Sequence, residues 1–371
     1  MRKLTKLLFF FLLAFPVISW AVDITTWAEL SAISTNETSL AQSYILKNDL
    51  NSSSTGYDDY ASSSANEGAG WLPLGNSTNE FTGTFDGDNY TISDLYIDRA
   101  TTDYVGLFGA VDTGATVSNL NLVDVDITGR QRTGGLSGSN IGTITSCTVT
   151  GGTVTGGGTY TGGFIGHSGG TITSCSSNVV VQNPSYASTG GFIGRVYMAN
   201  ISLCYAKGNV TGTSYLGGFI GEHERSTTTN SYAWGSVTGN TSGSTVGGFV
   251  GGTDHSSDNV DYCYSKGKPT NSGTGGVGAF CGVASVDTEI TQCFYDSTTA
   301  ETTVSDGGTA KTTAEMKTIT TFSGASWDIV DNSAYVNEDW KIVPATTYPM
   351  LGWEEYISGL RKDSFFQFLL Q

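Results

Sequence analysis

The chain has 371 residues and a formal charge of −17, yet only 14% of its residues are charged and 50 are glycine. That balance argues against a nucleic-acid ligand, which rewards clustered Lys and Arg, and against docking on anionic membranes. The length suffices for one elongated repeat domain or two compact ones.

Arg2, Lys3 and Lys6 precede an almost wholly apolar run from Leu7 to Val17. Ser19 and Ala21 then place small residues three and one before a cut after Ala21. This pattern predicts a signal peptide over 1–21 and export to the extracellular space or cell surface. The run is too short for a stable membrane span, and no Cys follows the cut to carry a lipid.

In the mature chain, Thr26 to Ile33 reads as a short helix with Thr26 as N-cap and Glu29 three residues on. Tyr44 to Leu46 reads as a first strand, 51–70 as a polar side loop, and Phe81 to Ile97 as an atypical early coil. From residue 105 a repeat dominates. Val105-Gly106-Leu107-Phe108-Gly109 returns as GGLSG at Gly134, then as GGFIG at Gly162, Gly190 and Gly217. GGFVG at Gly247 and GAFCG at Gly278 complete the series. Its first large apolar residues are Leu107, Leu136, Phe164, Phe192, Phe219, Phe249 and Phe280, at spacings of 29, 28, 28, 27, 30 and 31.

A second column holds Leu120, Cys147, Cys175, Cys204, Ser231, Cys263 and Cys293, with Val117, Ile144, Ile172, Ile201, Thr228, Val260 or Ile290 three residues before each. A third holds Ile127, Val154, Val181, Val210 and Val237. Each repeat thus offers three short β-branched or aromatic segments separated by turn residues. Such a unit buries its apolar face only by stacking on neighbours, with equivalent residues about 4.8 Å apart. The fold class expected is all-β: a parallel β-solenoid (β-helix) of about 28-residue coils, about ten in number, with short helical segments in the terminal caps. The glycines fit corners of positive φ or of close approach to the next coil. At the C-terminal end, Thr312 to Phe322 reads as a helix, and Trp327, Trp340, Tyr348-Pro349 and Trp353 as a packed cap. The chain divides into a signal peptide (1–21), an N-terminal cap with early coils (22–104), the repeat solenoid (105–298), a C-terminal cap (299–355) and an unassigned apolar tail (356–371).

The GG-Φ-Φ-G motif, the T-I-x-x-C-Y-A that follows and the G-N-V-T-G close resemble the GLUG-motif repeat of bacterial surface proteins. Trp71 to Gly75 and Phe81 to Gly87 resemble the segment preceding such repeats, and Cys293 to Trp353 their C-terminal closure. The resemblance covers roughly residues 70–353. It implies a secreted or cell-surface β-solenoid, often with adhesive roles. Some members adjoin a zinc peptidase domain, as in immunoglobulin A peptidases, but this chain has no HExxH. Its nearest string, His223-Glu224-Arg225-Ser226-Thr227, lacks the second His.

Residues that carry chemistry elsewhere have plainer readings here. Five of the six Cys share one column and Cys281 fills the second apolar position of its motif, so free buried thiols are expected, with disulfides the alternative. His167, His223 and His255 share no column and read as isolated loop residues. Asp86, Asp88 and Asp94 fail the EF-hand spacing and read as turn residues. Thr pairs at 143/145, 148/150, 153/155 and 171/173 suggest an ice-binding array, against ordinary exposed strand residues. Tyr205, Tyr232, Tyr264 and Phe294 adjoin the Cys column. Alternation points them outward as a candidate ligand face for sugars, or as a ladder of rings shielding the strands.

The repeats contain few bases for lyase chemistry: Arg130, Arg132, Arg195, Lys207, Arg225, Lys266 and Lys268. No cofactor, metal or catalytic residue is expected. The sequence reads as a non-catalytic scaffold binding an extracellular glycan or surface protein; a polysaccharide lyase or hydrolase and a purely structural spacer are the alternatives.

Overall fold

The computed structural model describes residues 21–185, 187–286, 288–331 and 338–354. The expected signal peptide, but for Ala21, and the apolar tail lie outside them. The chain winds into a parallel β-solenoid, as the repeat predicts. One sheet of ten strands runs from Val22–Ile24 through Thr143–Thr145 to Glu289–Thr291. A thirteen-stranded sheet, a seven-stranded sheet and a six-stranded sheet form the other walls. Pairing is parallel and in register: Ile144 lies opposite Val117 and Ile172, and Val181 opposite Val154 and Val210.

The expected three segments per coil become four walls because the glycine motif straddles a corner. Its first glycine ends one strand, as in Ser188–Gly190, and its second apolar residue starts the next, as in Ile193–Tyr197. The Phe between them points into the core. Phe164, Phe192, Phe219, Phe249 and Phe280 stack with centroids 4.7, 4.8, 4.8 and 4.9 Å apart and planes within 13°. Offset ring stacking of this kind adds about 0.5–1.5 kcal/mol per pair beyond the area buried. The glycines of the repeat motif serve close approach rather than positive φ, which falls on others such as Gly75 and Gly152: a Cβ on Gly191 would collide with the Gly218 carbonyl of the next coil.

Positive φ falls instead on the residue before the Cys column. Asn119, Ser146, Ser174, Leu203, Asn230, Tyr262 and Gln292 all have φ between 47° and 55°. This left-handed corner turns each coil, and it is non-glycine at every one of these positions.

Residues Ile24 to Ala300 contribute to one continuous apolar core. At the N-terminal end Trp27–Ala32 is a helix with a complete capping box between Thr26 and Glu29. The 51–70 loop contains two short helical turns, Tyr57–Tyr60 and Ala65–Gly68. The helix expected over Thr312 to Phe322 is broken into a 3₁₀ turn, Glu315–Lys317, and a short helix, Ile319–Ser323. Thr318 between them is extended (φ −114°, ψ 118°), a conformation that β-branched residues favour. The last coil is closed by Val304 and Asp306, whose backbones bond Ala279 and Cys281. The C-terminal tryptophans lie elsewhere. The described residues between Trp327 and Glu354, with a small sheet of Ile329–Asp331, Trp340–Ile342 and Met350–Leu351, cover the side of the coils. Among the described residues no helix is long and apolar enough to cross a membrane.

Candidate functional site

The row Tyr205, Tyr232, Tyr264 and Phe294 does project from the outside of the thirteen-stranded sheet, opposite the inward Cys column. Tyr205, Tyr232 and Tyr264 stack at 5.0 Å per step. The row is not an open ligand face, however. Tyr232 and Tyr264 are fully buried and Phe294 nearly so, beneath Trp327, Trp340, Phe322, Met316, Ile342 and Leu351. Trp353 stacks on Tyr205 at 5.5 Å, and its Nε1 donates to the Leu203 carbonyl. The rings are the base of a second apolar core, and the C-terminal segment occupies the surface that a sugar would need.

Beside that core, the next position along each strand carries Lys207, Trp234, Lys266 and Asp296. The Lys207 ammonium lies 4.0 Å from the Tyr205 ring and 4.6 Å from Trp234, and Lys266 lies 3.9 Å from Trp234. The C-terminal segment adds Tyr348, 4.7 Å from the Lys266 ammonium and 5.5 Å from that of Lys317. Burial, Lys207 and Lys317 together lower the pKa of Lys266. Both nearby carboxylates are engaged. Glu354 bonds Lys207 at 3.0 Å and accepts from Tyr232 and Leu351. Asp296 accepts from Tyr348, Thr313 and the backbone of Thr298 and Thr299.

The cysteines are buried and free. Four column thiols donate to the carbonyl two residues earlier, Cys147 to Thr145, Cys175 to Thr173, Cys204 to Ser202 and Cys263 to Asp261, whereas Cys293 donates to the Val260 carbonyl. Burial pushes the thiols of Cys147, Cys175 and Cys263 well above their ordinary value and that of Cys281 up to about 12. These four thiols are protonated, unreactive core groups.

Two of the histidines are not loop residues. His167 lies in the strand Ile165–Ser168, and burial with Arg132 and Arg195 nearby lowers its pKa to about 4. His223 lies in Ile220–Glu224 and is fully buried. Its Nδ1 is 3.0 Å from Asp258 Oδ1 and its Nε2 3.1 Å from Thr228 Oγ1. The order carboxylate–imidazole–hydroxyl resembles a catalytic triad, but all three side chains are sealed from solvent, so no substrate reaches the hydroxyl. Asp258 also accepts from the backbone of Ser226, Asp254 and His255, which makes the network an internal brace. The signal in the sequence was Thr228, a polar break in an otherwise apolar column.

On the outer face of the seven-stranded sheet, Arg195 pairs with Glu222 at 3.4 Å and with Glu224, and donates to the Tyr160 hydroxyl. Glu222, Glu224 and Asp254 come close enough to share a cation, and Arg195 already pairs with the first two. Asp86, Asp88 and Asp94 do not converge on a shared site: Asp86 accepts from Asn119 and the Asp88 backbone, Asp88 pairs with Lys47, and Asp94 accepts from Ser52. The Thr pairs 143/145 and 171/173 do stand in register in the ten-stranded sheet, followed by Asn200/Ser202 and Thr227/Thr229.

No protein-family profile matches the chain. Halomucin of Haloquadratum walsbyi is 41% identical over 137 residues, covering 36% of this chain and 1% of its own length. A protein named as a Gly-rich membrane protein of Evansella cellulosilytica is 36% identical over 85 residues, covering 22% of this chain and 10% of its own. The chain therefore spans a tenth or less of these curated relatives. Among solved structures, a chain from Bacteroides ovatus described as an immunoglobulin A1 protease superposes over 91% of this chain and 94% of its own, with a TM-score of 0.55 and 19% identity. A second, named IgA1 protease, covers 73% of this chain and 21% of its own, with a TM-score of 0.54 and 20% identity. These likenesses define the class of protein by architecture: a β-solenoid of the kind those proteases contain.

Proposed function

We propose that the chain is an exported, GLUG-type surface scaffold that holds lateral faces rigidly for adhesive contact with a glycan or protein, without catalysing a reaction. The supporting observation is the continuous dry core of like-on-like ladders. Coils that bond to their neighbours along four walls resist bending, so an exposed feature keeps its position relative to the others. The local sequence likeness to Halomucin and to a Gly-rich membrane protein favours an extracellular or surface setting. The likeness to proteins named as IgA1 proteases, at 19–20% identity, carries the fold alone, and the triad-like arrangement described above is closed to substrate.

The test is an array of glycans and extracellular-matrix proteins probed with the mature chain, beside incubation with immunoglobulin A and uronic-acid polymers. Retention of at least one array component with no cleavage product is the expected result. New peptide fragments or unsaturated sugar ends would replace the scaffold reading with an enzymatic one. No retention on any component would favour the plain spacer.

A further inference from the structure

We propose that the seam between the coils and the C-terminal segment, at Lys207, Lys266 and Lys317, is a binding site for an acidic sugar bearing carboxylate or sulfate groups. This inference deepens the scaffold reading and rests on it.

The first support is charge distribution. The chain carries −17, and only seven lysines lie between residues 22 and 354: Lys47, Lys207, Lys266, Lys268, Lys311, Lys317 and Lys341. Three of them converge around the rings of Trp234 and Tyr348. A fourth, Lys311, follows on the neighbouring strand opposite Asp296. Glu354 and Asp296 offset part of the like-charge repulsion among the three ammonium groups, and an anionic ligand would offset more of it.

The second support is how the ammonium groups are held. Lys207 and Lys266 both lie against the Trp234 ring, and Lys266 and Lys317 both lie over Tyr348. Cation–π contacts fix an ammonium without neutralising it, so its charge stays available to a ligand. Among the described residues neither Lys266 nor Lys317 has a carboxylate within ion-pair distance; Glu354 is bonded to Lys207 and Asp296 to hydroxyls and amides. The site is also composite. Lys207 and Lys266 come from the coils, whereas Lys317 and Tyr348 come from the segment that follows them, so it forms only when that segment is docked.

The third consideration selects a sugar polymer over an acidic protein. Charges are screened beyond about 8 Å at physiological salt, so a thin chain lying along the seam feels the lysines and little of the remaining −17. A globular acidic partner would have to bring its own surface against that remainder.

The experiment titrates the mature chain with heparin fragments, oligogalacturonate, a neutral glucan oligosaccharide and poly-glutamate, at low and high salt. Heparin fragments or oligogalacturonate should bind, separating a sulfate from a carboxylate preference, with affinity falling at least about tenfold on raising the salt. Lys266→Gln and Lys317→Gln should each weaken binding about three- to tenfold, Lys317→Arg should retain it, and the remote Lys47→Gln should leave it unchanged. Thermal melting checks that each variant keeps its fold, and Lys317 is half-buried outside the apolar core. Unaltered binding by the Lys266 and Lys317 variants overturns the site. Binding of poly-glutamate alone overturns the assignment to a sugar. Binding of the neutral oligosaccharide alone sinks this inference but not the scaffold reading, which fails only if the wider glycan and matrix array is also empty.

Discussion

The Tyr232 hydroxyl donates to Glu354 at 2.8 Å across 122 residues of sequence, joining a mid-solenoid coil to the end of the described chain. The bond is buried, and Glu354 also receives Lys207. Burial, with the Glu354 charge adding to it, holds the Tyr232 pKa well above its ordinary value, so the phenol stays a donor through the physiological range. Tyr232→Phe removes that donor and leaves a buried carboxylate short of a partner. The expected cost is about 1–3 kcal/mol, read as earlier urea unfolding. Limited proteolysis within 327–354 should quicken while cleavage of the coils does not. Unchanged cleavage at 327–354 would mean that the Tyr232–Glu354 bond does not hold the segment in place.

The Phe ladder should show its worth through one link. Phe219 stacks on Phe192 and Phe249 at 4.8 Å each. Phe219→Ala empties that place and should cost about 3–5 kcal/mol in denaturant unfolding. Phe219→Leu should cost far less, under about 1.5 kcal/mol, because Leu107 and Leu136 already fill equivalent places.

The cysteine column predicts a chemical and a pH signature. Native protein should resist thiol reagents at pH 8, and denatured protein should release six reactive groups, the number in the sequence. For Cys147, Cys175, Cys263 and Cys281 the folded pKa lies above the unfolded one, so the folded chain keeps protons there that the unfolded chain loses above about pH 9. Stability should therefore be unaffected by these groups at neutral pH and decline as the pH rises beyond 9. A triple Cys→Ala variant of Cys147, Cys175 and Cys263 should show a shallower decline.

His167 has the opposite sign. Its pKa falls from 6.5 to about 4 on folding, chiefly through burial, then through Arg132 and Arg195. Below pH 6.5 the unfolded chain binds a proton that the folded chain refuses, so stability is lost as the pH falls from 6.5 toward 4. His167→Gln should flatten that part of the acid unfolding curve. An identical curve would mean that the imidazole is solvated in the native protein.

The solenoid was legible because its physics is local and periodic. A residue that must stack on its equivalent 28 positions later leaves the same chemical type at each step, as Ile144, Ile172 and Ile201 do. The lateral segment left no such trace. Nothing near Tyr232 announces Trp340 or Glu354, since their contact repeats nowhere, so alternation alone pointed the row at solvent. The corner residues were hidden for another reason. Ser146, Leu203 and Tyr262 share a backbone conformation but no side-chain chemistry. His223 was misplaced because its partners Asp258 and Thr228 come from different segments, and only the broken apolar column marked the spot.

The lateral segment divides the rod into two mechanically unlike halves. From Leu203 to Phe294 it touches several coils at once, at distances that fit only that number of turns. Deleting or duplicating a coil there would shift Trp327 and Trp353 out of step with their partners by a full rung. Between Leu107 and Ile201 the described residues show no such splint, and whole repeats can be gained or lost there with only neighbour-to-neighbour contacts to satisfy. Natural variation in the length of such molecules is expected to concentrate in that upstream stretch, leaving the splinted end constant.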